Sequence, residues 1–238
     1  MKSHARIATA LALIAVVGCA STEVTERRTY QGERLARPGR ILVHDFAATS
    51  ADLPAWSAAR DRYAAPGTPR KAEEIATGRE LGALVATELV AQIREMGLPA
   101  VRAAGQPAPQ AGDIAIVGYF ESIDEGSAVK RVVIGFGSGA AEMKTQVEGY
   151  LMTDRGLRKL GSGGVASGGG KTPGVAVPLV VTIVTANPIG LIVGGAVKTG
   201  GELTGRTTIE GTAKRTANAI ADELRVAFQK QGWISATN

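Results

Sequence analysis

The stretch EMKTQVEGYLMTD, residues 142–154, decides the class of fold, because its side chains alternate between two sets. The first set is mostly apolar: Met143, Thr145, Val147, Gly149 and Leu151. The second set is mostly polar: Lys144, Gln146, Glu148 and Tyr150. A period of two is typical of a β-strand with one face on a core and the other in solvent. We therefore predict a half-exposed strand here.

Further strands are predicted where β-branched and apolar residues are bounded by turn residues. One covers residues 39–46 and another covers residues 113–123. Residues 99–101 begin a short extended piece, and residues 130–139 are strand-like and then rich in glycine. These segments together supply a sheet.

Two segments show the spacing of three and four residues that is typical of an amphipathic helix. In residues 72–96 the apolar stripe consists of Leu81, Leu84, Val85, Leu89, Ile93 and Met96. In residues 207–233 it consists of Ala213, Ala217, Ile220, Leu224 and Phe228. The order of strand, helix, several strands and helix indicates an α+β fold. We predict a mostly antiparallel sheet with both helices on one face.

A long loop is predicted at residues 47–69, where prolines and a glycine interrupt any regular pattern. An ordered loop of this length needs side chains that hold it in place. Trp56 and Tyr63 are the large side chains that we expect to attach it to the domain.

Residues 161–205 form a glycine-rich insertion with an apolar centre. Its glycine clusters at 161–164 and 168–170 predict a flexible stretch that cannot pack a core. Residues 175–197 then run for 23 residues without a charge, long enough to span a bilayer. Pro188 lies within this run and should break a helix there. Three interpretations stay open: an apolar hairpin buried against the domain or a neighbouring subunit, a hairpin inserted in a membrane, or a partly disordered loop.

The N-terminus has the parts of a secretory signal peptide. Lys2 and Arg6 are basic, residues 7–17 are apolar with one interruption, and the run ends in the sequence VVGC. Small residues before a cysteine resemble the lipobox of bacterial lipoproteins. We predict that residues 1–18 are removed and that lipid is attached to Cys19. The alternative is an ordinary cleaved signal with a chance cysteine.

The predicted cleavage sets the domain boundaries. Residues 19–37 are polar and charged and predict a lipidated tether. Residues 38–234 suffice for a single domain, and residues 235–238 form a tail. Cys19 is the only cysteine, which excludes an intramolecular disulfide. Because no aspartate follows Cys19, the pattern favours the periplasmic side of the outer membrane.

The charge balance argues against a nucleic-acid partner. The chain has 27 basic and 22 acidic residues, a formal net charge of +5, and few aromatic residues. No basic block is longer than two residues. Nucleic-acid binding proteins usually carry a clustered basic patch with interleaved aromatic side chains. We therefore expect no nucleic acid among the partners.

The sequence offers little chemistry. His44 is the one histidine outside the predicted signal peptide, which excludes most metal sites and Ser-His triads. The remaining candidate carboxylates form no recognisable catalytic pair: Asp113, Glu121, Asp124, Glu125 and Glu142. Gly135, Gly137 and Gly139 are spaced like a phosphate loop but lack its Gly-Lys-Ser/Thr ending. We predict no catalytic, cofactor-binding or metal-binding residue.

Three blocks carry a family resemblance: residues 130–142 (KRVVIGFGSGAAE), residues 186–190 (ANPIG) and residues 231–234 (QGWI). They resemble the bacterial lipoproteins grouped as domain-of-unknown-function family 4410. The opening strand, helix, short strand and residues 113–123 are more distantly similar to TolB N-terminal and curli-secretion lipoprotein domains. That likeness implies a binding or assembly module of the cell envelope, and it implies no catalytic residues.

These observations predict a lipid-anchored envelope protein that acts as a non-enzymatic binding or assembly module. Its expected partners are the membrane, through the lipid, and either copies of itself or another envelope protein. The alternative is an oligomer in which residues 175–197 insert into the membrane and form a pore. An envelope hydrolase built on scattered carboxylates is a third hypothesis.

Overall fold

The computed structural model describes residues 20–62, 71–124, 141–169 and 208–235. Several predicted features lie outside these ranges: the signal peptide, Cys19, Tyr63, Glu125, residues 130–139 and residues 175–197. The described strands are β1 (Ala20–Arg28), β2 (Ile41–Val43), β3 (Ala100–Arg102), β4 (Ile114–Asp124), β5 (Glu142–Thr153) and β6 (Gly156–Gly169). The described helices are α1 (Ala58–Arg62), α2 (Ala72–Glu95) and α3 (Ile209–Gln231), and a 3-10 turn covers Ser50–Asp52.

The six described strands form one sheet in the order β1-β6-β5-β4-β2-β3. From β1 through β6 and β5 to β4, each adjacent pair of strands is antiparallel. β2 instead runs parallel to both β4 and β3. The parallel pairing follows from the connection, since α2 carries the chain back across the sheet between β2 and β3. The predicted α+β class with a mostly antiparallel sheet is confirmed.

The main core lies between this sheet and helices α2 and α3, which also pack against each other. The predicted helical stripes are buried at Leu81, Val85, Leu89, Ile93, Ala213, Ala217, Ile220 and Phe228. They cover strand residues of one face: Ile41, Val43, Ile114, Ile116, Phe120, Met143 and Val147. Burying one large apolar side chain contributes roughly 1.5–3 kcal/mol. The two helices therefore share one face of the sheet, as predicted.

Both long helices begin and end close to the predicted positions. The threonine Thr208 caps α3, because its Oγ1 accepts a hydrogen bond from the Gly211 N–H at 3.0 Å. Gly97, with a φ of 82°, follows α2 in the left-handed region that favours glycine. None of the described helices combines the length and the apolar character needed to cross a bilayer.

The predicted tether is wrong for residues 20–28, which form strand β1 and pair with β6 along their length. Its charged side chains are compatible with a strand because β1 lies at the edge of the sheet, where charge discourages further pairing. Residues beyond β1 are also attached to the domain. The Leu35 N–H donates to Gln231 Oε1 at 2.7 Å, and the Leu35 carbonyl accepts from Trp233 Nε1 at 2.9 Å.

The prediction of a flexible stretch is also wrong for the glycines at 161–164 and for Gly168, all of which lie in β6. Two of them are required by the closeness of β1. A Cβ on Gly161 would lie 2.4 Å from the Arg28 carbonyl oxygen, and one on Gly164 would lie 2.6 Å from Thr25 Oγ1. Because β6 pairs on both sides, its backbone is ordered by hydrogen bonds and needs few side chains.

Helix α2 packs so closely against the residues that follow β2 that no side chain fits at Gly82. The Phe46 N–H donates to the Gly82 carbonyl at 3.2 Å, and a Cβ on Gly82 would lie 2.0 Å from the Phe46 carbonyl oxygen. Gly82 therefore fixes the distance between helix and strand. This contact places Phe46 in the core, where its ring lies 6.1 Å from that of Phe120.

We expect Gly82→Ala to lower the free energy of unfolding by about 1–3 kcal/mol, because the added methyl must push α2 from the Phe46 backbone. The direction of this change in stability is informative, because replacing glycine by alanine within a helix normally stabilises a protein by about 1 kcal/mol. Urea denaturation followed by circular dichroism measures the change. Gly39→Ala is the matched control, because a Cβ there meets nothing within 4 Å. A Gly82→Ala protein more stable than wild type would refute the contact.

Candidate functional site

The face of the sheet opposite α2 and α3 is covered in part by residues 47–59, here called the covering segment. Ala47 makes two backbone hydrogen bonds to β4. Its N–H donates to the Gly118 carbonyl at 2.8 Å, and its carbonyl accepts from the Phe120 N–H at 3.1 Å. A second, smaller apolar cluster lies beneath the segment: Ala47, Leu53, Ala59, Val117 and Tyr119, with Trp56 at its side. The sheet is thus buried on both faces at β4 and β5.

Under the covering segment lies a carboxylate, Glu148, whose side chain is 2% exposed. Lys159 Nζ, on the neighbouring strand β6, donates to its Oε1. The Tyr150 hydroxyl donates to its Oε2 at 2.6 Å, and the Ser57 hydroxyl donates to the same oxygen at 3.1 Å. We call these four residues the Glu148 cluster.

The Glu148 cluster also holds the start of α1. The Tyr150 hydroxyl accepts a hydrogen bond from the Ala58 N–H at 2.9 Å, and Ser57 Oγ accepts from the Ala59 N–H at 3.2 Å. N–H groups in the first turn of a helix have no partner within the helix. The sheet therefore supplies one acceptor to α1 through Tyr150, and Ser57, the residue before α1, supplies another and donates its own hydroxyl hydrogen to Glu148.

Aromatic side chains extend the cluster toward β2. The ring of Trp56 meets that of Tyr150 edge-on at 5.1 Å between centroids, and that of His44 at 5.5 Å. Such contacts are favourable beyond the area they bury. The prediction that Trp56 attaches the loop to the domain is confirmed by these contacts.

The protonation states follow from burial and hydrogen bonding. Burial alone would raise the pKa of Glu148, but hydrogen bonds from Lys159 and Tyr150 outweigh it and hold that pKa below its usual value. Burial and the bond to Glu148 raise the pKa of Tyr150 to about 12. Burial lowers the pKa of His44 despite the opposing charge of Asp45. At neutral pH, Glu148 is therefore ionised while Tyr150 and His44 are neutral.

This arrangement is suited to fixing structure. A general acid needs a raised pKa and access to a substrate, whereas Glu148 has a lowered pKa and is enclosed. Its two oxygens are already engaged by a cation and two hydroxyls, so the buried charge is compensated. The cluster binds the covering segment to the sheet.

The structure places Asp113, Glu121 and His44 at separate positions. Asp113 is buried and accepts from Arg40, with Oδ2 2.6 Å from Nη2. Glu121 accepts from Gln146 Nε2 at 3.1 Å. His44 contacts Trp56, and its Nε2 is buried without a hydrogen-bond partner in the described part of the chain. These residues stabilise local structure at separate places.

Asp124 and Glu142 are opposite each other in the register of β4 and β5, and both are exposed. Within residues 20–62, 71–124, 141–169 and 208–235, no three His, Cys, Asp or Glu side chains are grouped to hold a metal ion.

Sequence analysis does not identify the members of the Glu148 cluster: Glu148, Tyr150, Lys159 and Ser57. The alternation of β5 places Glu148 and Tyr150 on the polar face, and we predicted that face to be exposed. At Glu148 and Tyr150 this face is buried, because the covering segment lies across it. Ser57 of that segment and Glu148, which share a hydrogen bond, are about 90 positions apart in the chain. One signal was present: a loop held by Trp56 must cover some part of the sheet.

Strands β1, β6, β5 and β4 each have a terminus at the same end of the sheet, which we call the Ala20 end. Ala20, where β1 begins, pairs with Gly169, the last residue of β6. Gly168 pairs with Glu142 at the start of β5, and Glu142 pairs with Asp124 at the close of β4. These four strands therefore start or finish at the same level.

Three further parts of the chain attach at the Ala20 end. Cys19 precedes β1 directly, residues 125–140 connect β4 to β5, and residues 170–207 connect β6 to α3. Helix α3 starts near this end, since Thr216, two turns into it, donates to Ser167 Oγ of β6 at 2.8 Å. The end of β6 and the start of α3 thus lie on the same side of the sheet.

We expect Glu148→Gln to lower the free energy of unfolding at pH 7 by roughly 1–3 kcal/mol, because the buried side chain loses its charge-assisted hydrogen bonds from Lys159 and the two hydroxyls. The folded-state pKa of Glu148 lies below its usual 4.5, so the wild-type advantage is present above that pH. It is lost as the pH falls through the lower, folded-state pKa. Urea denaturation between pH 7 and pH 3 measures both effects.

Glu142→Gln is the matched control for this prediction, because Glu142 is exposed on the same strand. Its effect should stay within about 0.5 kcal/mol, as for most surface substitutions. If Glu148→Gln were as stable as wild type at pH 7, the cluster would not hold the covering segment.

No curated protein matches its sequence. Two solved structures of PelC dodecamers from Paraburkholderia phytofirmans are similar in fold at 15% identity. One has a TM-score of 0.37 and covers 63% of this chain and 82% of its own, and the other has a TM-score of 0.36 with 63% and 83%.

A family model described as Domain of unknown function (DUF4410) matches residues 41–186, more than half of the chain. This range spans β2 to β6 and includes the block at residues 130–142 that carries the resemblance in sequence. The predicted family is therefore confirmed, and the chain belongs to the DUF4410 family.

Proposed function

We propose that this chain is a lipid-anchored protein of the cell envelope, on the periplasmic side of the outer membrane, that works as a non-enzymatic binding or assembly module. One observation carries the proposal: Ala20, the residue after the predicted lipid site, is already part of strand β1. A lipid on Cys19 would hold the Ala20 end directly against a bilayer. The other end of the sheet would then be available to a partner.

The N-terminal pattern supports the anchor. A basic start, an apolar run too short for a stable span, and small residues before Cys19 are the features of a lipoprotein signal. A single acyl chain binds a membrane only marginally, while two or more give stable attachment. A diacylated or triacylated Cys19 would therefore keep the domain on its membrane.

The interior of the domain supports a role without catalysis. The buried titratable groups of the Glu148 cluster satisfy one another, and the pKa of Glu148 is lowered where a general acid would need it raised. Asp113 is engaged by Arg40, and Glu121 accepts a hydrogen bond from Gln146. The described groups stabilise a platform and present no set of reacting groups.

The alternative proposal is an oligomeric, membrane-inserting protein in which residues 175–197 enter the bilayer. A specific observation favours it, because the end of β6 and the start of α3, which flank residues 170–207, lie at the Ala20 end, next to the predicted lipid. An uncharged run attached at a membrane-facing end has the shortest path into lipid. This alternative predicts a ring in detergent, whereas the binding module predicts a monomer or dimer.

The experiment replaces residues 1–19 with a cleavable signal peptide that directs export without lipidation. We expect wild type to incorporate radiolabelled palmitate and to stay in membranes at alkaline pH. We expect the replaced form to carry no label and to be released by alkaline carbonate, because lipid is then its only anchor. Mutating Cys19 alone is unsuitable, since an uncut signal peptide would itself hold the protein in the membrane.

The outcomes separate the two proposals. Release of the replaced form supports the lipid-anchored module. Retention of that form shows that a protein segment inserts and puts the membrane-inserting alternative first; deleting residues 175–197 should then release it. Absence of palmitate from wild type would reject the lipid anchor altogether.

A further inference from the structure

An apolar cavity of about 200 Å³ lies between the second half of α3 and the part of the sheet formed by β1, β6 and β5. Its side-chain walls are mostly aliphatic and aromatic: Val24, Leu160, Val165, Ile220, Leu224 and Phe228. It is partly open to solvent on one side. The cavity is separate from the Glu148 cluster, which lies on the other face of the sheet.

The cavity exists because the sheet lacks side chains where α3 faces it. Gly149 follows Val147 on the helix-facing side of β5, and Gly161 is its partner on β6. A Cβ on Gly149 would meet no atom within 4 Å, so the space above it is empty. Elsewhere in the core the same row is filled by Met143 and Val147. Native interiors are close-packed, so a void of this kind is an exception that needs a reason.

The size and lining define what the cavity can take. An apolar cavity of roughly 150 Å³ stays dry and binds a benzene ring, so one of 200 Å³ can hold a short length of hydrocarbon chain. Val226, on α3, lines the cavity and is 45% exposed, which leaves an apolar surface continuous with its interior. The apolar walls favour a ligand that has a hydrocarbon part.

The charges around the opening favour an anionic head group. Arg27 of β1 is paired with Glu223 of α3, and Arg28 is paired with Glu26, so these four charges cancel. Lys230 also lines the cavity and has no ion-pair partner in the part of the chain that the structure describes.

Arg158 lies just outside the lining. Its guanidinium is 5.5 Å from the centroid of the Tyr30 ring, and Tyr30 belongs to the lining. With the four paired charges cancelled, Lys230 leaves the lining with a net positive charge. A positive rim above an apolar cavity complements an anionic amphiphile.

We infer that this cavity binds the hydrocarbon chain of a single-chain anionic amphiphile, such as a fatty carboxylate, with its head group at Lys230. The inference concerns a second site and is independent of lipid on Cys19. A ligand of this class would bury its chain between α3 and the glycines of β5 and β6. Its carboxylate would stay at the water-exposed rim, where it need not be desolvated.

The test uses unlipidated protein containing residues 20–238, which includes every residue that the structure describes. Isothermal titration calorimetry with sodium dodecanoate below its micellar concentration should show one ligand bound per chain. Dodecyl maltoside and dodecyltrimethylammonium are the neutral and cationic probes, and both should bind more weakly. Hexanoate should also bind more weakly, because each buried methylene contributes about fourfold in affinity.

Gly149→Phe should fill the cavity and weaken dodecanoate binding at least about tenfold, the effect of excluding two or more methylenes. Gly149→Ala is the matched control, since one methyl leaves most of the space, and its affinity should stay within about threefold of wild type. Ala227→Leu fills the cavity from the α3 side and serves if the phenylalanine variant fails to fold. Lys230→Gln should weaken dodecanoate about two- to fivefold and leave dodecyl maltoside unchanged.

Two results would overturn the inference. One is dodecanoate binding that neither Gly149→Phe nor Ala227→Leu weakens, which would place the ligand elsewhere. The other is no dodecanoate binding to wild type. If a filling variant then also lowers the melting temperature, the cavity is occupied by the chain's own residues, as expected for overpacking.

Discussion

Strand β1 can lie beside β6 because β6 has so few side chains. At Gly161 and Gly164 any side chain would overlap the backbone or a side chain of β1, so the glycines are a condition of the pairing. That pairing turns a charged N-terminal stretch into the edge of the sheet and brings Ala20 level with Gly169. It also supplies one wall of the apolar cavity under α3. The N-terminal side of the domain therefore depends on residues more than 130 positions away.

The two faces of the sheet are held by different kinds of interaction. Helices α2 and α3 are attached mainly by apolar burial, which is strong and non-directional. The covering segment has only a small apolar cluster, and the Glu148 cluster adds directional bonds to it. An enclosed carboxylate is costly unless its charge is compensated, so Lys159 and the two hydroxyls must all be in place. This requirement gives the covering segment one position on the sheet.

Local periodicity predicted the elements whose environment is uniform along their length. The stripes of α2 and α3 and the apolar runs of β2 and β4 identify themselves within a few residues, and the α+β class followed from their order. Prediction failed where burial depends on distant residues. The local sequence of β1 is typical of a polar tether, and the glycines of β6 are typical of a flexible linker. Neither segment reveals from its own residues that it pairs with the other. Glu148 has the spacing of an exposed residue, and only the covering segment makes it a buried one.

The start of β1 at Ala20 has a geometric consequence for any protein anchored at Cys19. A flexible tether would let a domain search a wide volume, but a strand that begins at the anchor gives it a fixed height. At roughly 3.3 Å per residue, the 14 residues of β6 span about 45 Å from the Ala20 end to the far end of the sheet. With its strands upright on the membrane, the sheet would occupy a layer of about that depth above the lipid head groups. A partner would therefore have to enter that layer, and it would meet the far end of the sheet first.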